Sequence, residues 1–217
     1  MSELAIFDLD YTITRKGTWG RFVNSSLNER PAQIAALWAS AGLKQVQYKM
    51  GVVPRVSVKA KMLRHSIAGR KRCELGALAD DFVTRDVEDG LNGRVVEALR
   101  EHKRQGHVVL IASAAVDILV ERYARALDAD GYVCTALSWC DENRLMGRFG
   151  SENCYGPIKV ELIRAWLDER GIEPTRITAY SDCRSDAPML EMADAAVVIP
   201  RCSKARAYAE RMGFEIW

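Results

Sequence analysis

The chain predicts an α/β fold: a parallel sheet layered with helices and interrupted early by a helical insertion. Three observations carry this. After Asn92, short apolar runs alternate with amphipathic stretches of helical period, the pattern of parallel strands joined by crossover helices. From about Thr18 to Val87 strand-like runs are almost absent. The chain has 217 residues, 48% of them apolar, above the usual single-domain size and enough for a sizeable core with an insertion.

The elements follow in order. Leu4 to Leu9 reads as a buried strand. In the insertion, Trp19, Phe22 and Val23 suggest a helical face. Ile34, Leu37, Trp38 and Ala41, then Val58, Met62 and Leu63, then Leu75, Leu78, Ala79 and Phe82 continue at helical spacing. Gly51-Val52-Val53-Pro54 and Gly69 punctuate it into separate helices. Beyond it, the spacing predicts helices over 95–105, 117–127, 158–170, 187–192 and 204–212. It predicts strands over 108–112, 132–139, 145–149, 177–180, 195–199 and 214–217. Residues 1–13 and 91–217 would form the core, with 14–90 inserted.

Several classes are disfavoured. The six cysteines form no Cys-x-x-Cys pair, so reduced thiols are expected rather than a disulfide framework. No basic-then-apolar leader precedes the first strand. No apolar run approaches the roughly 20 residues of a membrane span. A soluble, cytoplasmic protein is the expectation.

The net charge is only +2, but it is unevenly spread. Thr14 to Arg72 holds thirteen basic residues and one acid, Glu29, for a local charge of +12; the remainder carries −10. Such a field draws anions.

Four polar clusters fall where strands end or helices begin, the edge at which parallel sheets bind ligands. Asp8-Leu9-Asp10-Tyr11-Thr12 follows the first strand. Carboxylates at i and i+2 on a strand share a side and repel unless a cation or proton joins them. Turn chemistry at Asp10 is the simpler alternative. Ser113 follows the strand 108–112; it suits a helix N-cap, where backbone N–H groups also await an oxyanion. Lys159 sits in the first turn after Gly156-Pro157, where a cation opposes the helix dipole unless an anion shares the spot. Asp182 and Asp186 follow the strand 177–180. Asp186 alone suits an N-cap, which leaves Asp182 unexplained. Four aspartates, a hydroxyl and a lysine at one edge suit a hard divalent cation such as Mg2+ and a phosphate.

The stretches "IFDLDYT", "LIASA", "NCYGPIK" and "YSDCRSD", in this order, resemble the motifs of the haloacid dehalogenase superfamily, and most closely its phosphoserine-phosphatase-like subfamily IB. The motifs are spread through residues 1 to 190. The resemblance implies a Rossmann-like parallel core carrying a mainly helical C1 cap at 14–90. It implies a Mg2+-dependent phosphatase that hydrolyses a phosphate monoester through an aspartyl-phosphate on Asp8. Asp10 would be the general acid and base. Asp8, the Asp10 carbonyl and Asp182 would hold Mg2+, with Asp186 in support. Ser113 and Lys159 would bind phosphoryl oxygens, with the Leu9 and Ala114 backbone N–H groups. The second aspartate of the first motif favours an alcohol leaving group over dehalogenation.

Two departures concern the substrate. Tyr11 stands where the family commonly has glycine; its ring would narrow the entrance, touch substrate or pack beneath the cap. The stretch Thr14-Arg15-Lys16-Gly17-Thr18-Trp19 lacks the acid that phosphoserine phosphatases use to hold the substrate amine. Phosphoserine is therefore disfavoured against a small, anionic phosphorylated metabolite. Arg15, Lys16, Arg55 and Lys59 are candidate contacts. A basic cap with Trp19, Phe22 and Trp38 also suits a lipid or lysolipid phosphate at an anionic membrane surface. No nucleic-acid reader motif is present. A receiver-type signalling module shares the aspartates and lysine but lacks an inserted cap. A silent binding protein would not need every catalytic residue type.

Overall fold

A computed structural model describes residues 2–27 and 55–217, together with 32, 34, 35, 37–39, 42 and 50; at 55 and 56 it describes the backbone only. The main sheet has six parallel strands in the order β3-β2-β1-β6-β7-β8. They are β1 (Leu4–Phe7), β2 (Val108–Val116), β3 (Gly131–Thr135), β6 (Ile177–Ser181), β7 (Ala195–Val198) and β8 (Glu215–Ile216). A separate antiparallel pair joins β4 (Leu137–Trp139) to β5 (Leu145–Phe149). The described helices are α1 (Thr18–Ser26), α2 (Arg55–Ser66), α3 (Arg72–Asp89), α4 (Gly93–Arg104), α5 (Asp117–Ala126), α6 (Pro157–Asp168), α7 (Ala187–Glu191) and α8 (Ser203–Met212).

Strand alternation builds two cores. Ala5 and Phe7 of β1 face one side with Val109 and Ile111 of β2, where Val95, Leu99 and Tyr123 of α4 and α5 cover them. Leu4, Ile6, Leu110 and Ala112 face the other, under Val160, Ile163 and Trp166 of α6 and Tyr208 of α8. Period-two burial on both faces is what a central parallel strand requires. Gly131 permits a close approach within this second core: a Cβ there would lie 2.3 Å from the Trp166 ring.

Helices α1 to α3 lie between β1 and α4 in the chain. Where the chain leaves and rejoins the sheet, Thr14 bridges Leu91 and the Arg15 N–H donates to the Gly90 carbonyl at 2.8 Å. Asp86 on α3 is buried; it takes bonds from Arg21 of α1 and from the hydroxyl of fully buried Tyr123 of α5. Burial opposes the Asp86 charge, but the Arg21 and Tyr123 hydrogen bonds outweigh it and hold the carboxyl below its ordinary range. One carboxylate thus ties two insertion helices to the core. Among the described residues, no helix is long and apolar enough to cross a membrane.

Two expected elements differ. The strand expected at 132–139 is two, broken at Ala136: β3 joins the main sheet, and β4 turns away to pair with β5. Apolar continuity does not mark where a strand changes partners. The strand expected at 108–112 runs on to Val116, with a register irregularity against β3 after Ala112. Ser113 is therefore inside β2. It is not an N-cap; Val116 holds that position for α5.

Candidate active site

The carboxyl ends of β1, β2 and β6 and the start of α6 converge on a small cavity of about 70 Å³. Asp8 lies one residue past β1, buried, its N–H donating to the Tyr180 carbonyl at 2.9 Å. Its Oδ2 accepts from the Thr12 hydroxyl at 3.3 Å and its Oδ1 from Lys159 Nζ at 2.9 Å. Gly156, at φ 58°, turns the chain into α6 and Pro157 starts the helix, a placement glycine and proline each favour. Two residues on, Lys159 is 1% exposed and its Nζ also meets Asp186 Oδ1 at 2.8 Å. The carboxylates on either side explain how a fully buried ammonium is tolerated.

Asp186 fills its other oxygen from the Ser181 hydroxyl at 2.7 Å. It sits at the N-cap position of α7 but makes no side-chain cap bond, so capping does not account for the Asp186 carboxylate. Ser181 was not singled out in the sequence; its position at the end of β6, next to Asp182, was the available signal. Oxygens of Asp8, Asp182 and Asp186 lie within 4.8 Å of one another, and all three residues are buried.

The charges do not balance. With every carboxyl ionised, Asp8, Asp182 and Asp186 against the Lys159 ammonium would give the buried groups a formal excess of two negative charges, with Arg201, half exposed, 3.7 Å from Asp182. Burial, reinforced by Asp186 and Asp182 against the pull of Lys159, lifts Asp8 to about 8. Burial likewise lifts Asp182 to about 6, with Arg201 opposing. Burial alone would depress Lys159, yet Asp186 and Asp8 reverse that and raise it. All three groups hold protons more tightly than usual, the response of a site with excess negative charge. Oxygen donors, close spacing and a two-charge deficit fit a hard divalent cation.

Asp8 and Asp10 part company. The pair was expected to project together from the strand, but β1 ends at Phe7 and a tight loop follows, with Thr14 N–H and hydroxyl both donating to the Leu9 carbonyl. Asp10 instead points at the start of α1, where its Oδ1 accepts from the Thr18 N–H at 2.8 Å and the Thr18 hydroxyl at 2.7 Å. A carboxylate on a helix N-terminus is well placed. Thr18, also not anticipated, follows Gly17 at the N-cap position of α1.

Tyr11 turns this loop at φ 66°, a left-handed conformation that suits glycine and strains other residues. Its ring lies against Gly17 on one side, where an added Cβ would meet it at 3.2 Å. The Arg201 guanidinium stacks on it at 4.0 Å. Ser113 and Ala114 line the cavity from β2, Ser113 accepting from the Ala115 N–H at 3.1 Å.

The basic candidates of the insertion divide. Lys59 reaches the cavity from α2, Nζ donating to the Ala114 carbonyl at 2.7 Å. Arg15 does not: its guanidinium is directed to the Asp89 carbonyl at 3.4 Å, because the backbone pairing with Gly90 turns it toward the end of α3. Lys16 lines a neighbouring cleft rather than the cavity. The Arg55 side chain lies outside the described residues. Arg201 lines the cavity and was not anticipated; it follows β7 at the same sheet edge, the placement that could have flagged it. The neighbouring cleft, about 770 Å³, shares Asp10, Tyr11 and Lys59 with the cavity and is walled by Trp19, Gly20 and Trp38.

Comparisons with known proteins bear on the family and the fold. The model of the haloacid dehalogenase-like hydrolases matches residues 5–191. Phosphoserine phosphatase SerB1 of Mycobacterium tuberculosis is 30% identical over 150 residues, 69% of this chain and 48% of the relative. The chain thus spans about half the length of that relative. A Bordetella pertussis Tohama I protein of unknown function superposes with a TM-score of 0.88 at 21% identity, covering 100% of this chain and 98% of that one. A phospho-aspartyl intermediate analogue of phosphoserine phosphatase superposes with a TM-score of 0.66 at 18% identity, covering 99% and 92%. These last two show a shared fold. With its family model spanning residues 5–191, which include all four polar clusters of the site, this chain belongs to the haloacid dehalogenase-like hydrolases.

Proposed function

We propose that the protein is a Mg2+-dependent phosphomonoesterase acting through an aspartyl-phosphate on Asp8, with residues 14–90 as its cap. The observation that carries this reading is the Asp8 carboxylate, buried and oriented by Lys159 and Thr12, in a cavity that also holds Asp182, Asp186 and Ser113.

Asp8, Asp182 and the Asp10 carbonyl would hold the ion, with Asp186 in support. Bound there, Mg2+ supplies charge to offset the phosphoryl oxygens and the excess carboxylates. Lys159 steadies Asp8 and meets the phosphoryl group with a second positive charge. Ser113 donates its hydroxyl to a phosphoryl oxygen. An Asp8 oxygen attacks phosphorus, the ester P–O bond breaks, and Asp10 gives the departing alkoxide its proton. Water then attacks the aspartyl-phosphate, Asp10 takes the water's proton, and phosphate leaves with Asp8 restored. Such proton transfers typically contribute ~10²–10⁴-fold. Thr18 holds the Asp10 carboxylate toward this task.

The cavity disfavours an ammonium-bearing substrate. Its acids among the described residues are Asp8, Asp10, Asp182 and Asp186. Each already faces a partner, in turn Lys159, Thr18, Arg201, and Lys159 with Ser181. A small, anionic phosphorylated metabolite fits better than phosphoserine.

The test is hydrolysis of phenyl phosphate with and without Mg2+, in the wild type and Asp8→Asn. Mg2+-dependent turnover that vanishes in Asp8→Asn is expected. Metal-independent turnover, or full turnover by Asp8→Asn, would overturn the mechanism.

A further inference from the structure

We propose that Arg201, stacked on Tyr11, binds a second anionic group carried by the leaving alcohol and so selects the substrate. The inference rests on the phosphomonoesterase reading and concerns what lies beyond the phosphoryl group.

Arg201 stands between β7 and α8, at the same sheet edge as Asp8 and Asp182. It lines the cavity that holds Asp10, the group placed to meet the leaving oxygen. Its guanidinium lies 4.0 Å from the centre of the Tyr11 ring. A guanidinium stacked on an aromatic ring commits its face and leaves its N–H edge free to grip a carboxylate or phosphate with two parallel bonds. Among the described residues its N–H groups find no hydrogen-bond acceptor; the nearest carboxylate oxygen, Asp182 Oδ2, is 3.7 Å from Nε. Asp182 is itself required by the metal site, so it is a poor dedicated partner. The Arg201 side chain is 48% exposed, open to an incoming anion and already ordered by the ring.

Tyr11 explains the arrangement from the other side. A tyrosine at φ 66° is strained where glycine would be at ease. The strain is offset by the contacts the ring makes, one with Gly17 and one with Arg201. A side chain kept at the cavity mouth in spite of its backbone points to a task for the ring, and holding the Arg201 fork in place is that task.

The test compares phenyl phosphate with the ortho-, meta- and para-carboxyphenyl phosphates at saturating Mg2+. The wild type is expected to favour at least one carboxylated ester over phenyl phosphate, chiefly through KM. Arg201→Ala should lower kcat/KM for that ester about 10- to 100-fold more than for phenyl phosphate, the span of a charge-assisted hydrogen bond. Arg201→Lys should recover only part, because the planar fork is lost. Tyr11→Gly should erode the same preference while the melting temperature holds or rises, since the backbone strain is relieved; a purely structural tyrosine would lower stability and leave the preference. Three results overturn the proposal: no carboxylated ester preferred by the wild type, equal losses on both substrates in Arg201→Ala, or full preference in Tyr11→Gly. Equal losses would place Arg201 at the phosphoryl group or metal site instead. No Mg2+-dependent turnover of phenyl phosphate by the wild type would instead defeat the phosphomonoesterase reading itself, and this proposal with it.

Discussion

The buried cavity and the cleft beside it are built on opposite principles. In the cavity, Asp8, Lys159 and Asp186 are all under 7% exposed and hold one another through direct ion pairs. The cleft is roughly ten times larger, walled by Trp19, Trp38 and Lys16 as well as Tyr11, and Trp38 is 46% exposed. Buried charges with fixed partners are costly to rearrange, so they suit chemistry that must not vary. On the proposed function, open walls of aromatic and basic side chains would adapt to different leaving groups. The two spaces meet at Asp10 and Tyr11, where, on the proposed function, proton transfer and recognition would coincide.

The sharpest way to break this contrast is to remove the cation at its buried centre. Lys159→Met leaves Asp8 and Asp186 with no counter-charge and little water. Removing one member of such a pair costs about 3–5 kcal/mol, or a fall of roughly 10 °C in melting temperature for a chain of this size. Turnover of phenyl phosphate should be lost as well. An unchanged melting temperature for metal-free Lys159→Met would show that the cavity is far more hydrated than its burial indicates.

The next effect belongs to the metal and depends on pH. Asp8 sits at about 8 and Asp182 at about 6 in the metal-free fold, against 3.8 for an ordinary aspartate. A carboxyl whose folded pKa is raised binds its proton more tightly folded than unfolded. Its contribution therefore falls as pH climbs from about 4 through the folded value. Lys159, raised from 10.5, stays charged in both states over that window and adds no slope. Metal-free protein should melt lower at pH 8 than at pH 6. A fixed Mg2+ concentration, a hundred times its Kd at pH 8, should restore about 2.7 kcal/mol there and less at pH 6, where protons compete for Asp8 and Asp182 and weaken binding. Thermal melts with and without Mg2+ across that range check it; a larger shift at pH 6 would contradict the two-charge deficit.

Much of the cavity was legible in the sequence because its residues sit at strand and helix ends, where local pattern and position coincide. Asp8, Asp182, Asp186 and Lys159 each follow a predictable boundary, and the sheet brings them together without further information. Partnerships that depend on how loops fold back were not legible. Nothing local pairs Thr18 with Asp10 across eight residues, or sets Arg201 on a ring 190 residues earlier. Charge was also a weak guide to direction: Arg15 and Lys16 share the basic segment with Lys59, yet only Lys59 reaches the cavity. The break at Ala136 was hidden because β3 and β4 are both apolar enough to read as one strand.

Thr18 tests the seam between the two spaces, with the smallest of these effects. It opens α1 in the insertion and supplies two of the donors to Asp10, from its N–H and its hydroxyl. Thr18→Val keeps the shape and the N–H but removes the hydroxyl. A lost hydrogen bond to a charged group is worth about 1.5 kcal/mol at the low end, which corresponds to about tenfold in rate. The loss should appear in kcat for poor leaving groups such as alkyl phosphates, which need the proton from Asp10. It should be smaller for p-nitrophenyl phosphate, whose leaving group departs without one. Equal losses on both would mean that Thr18 only anchors the cap, and that the cavity and cleft are joined by packing rather than through the orientation of Asp10.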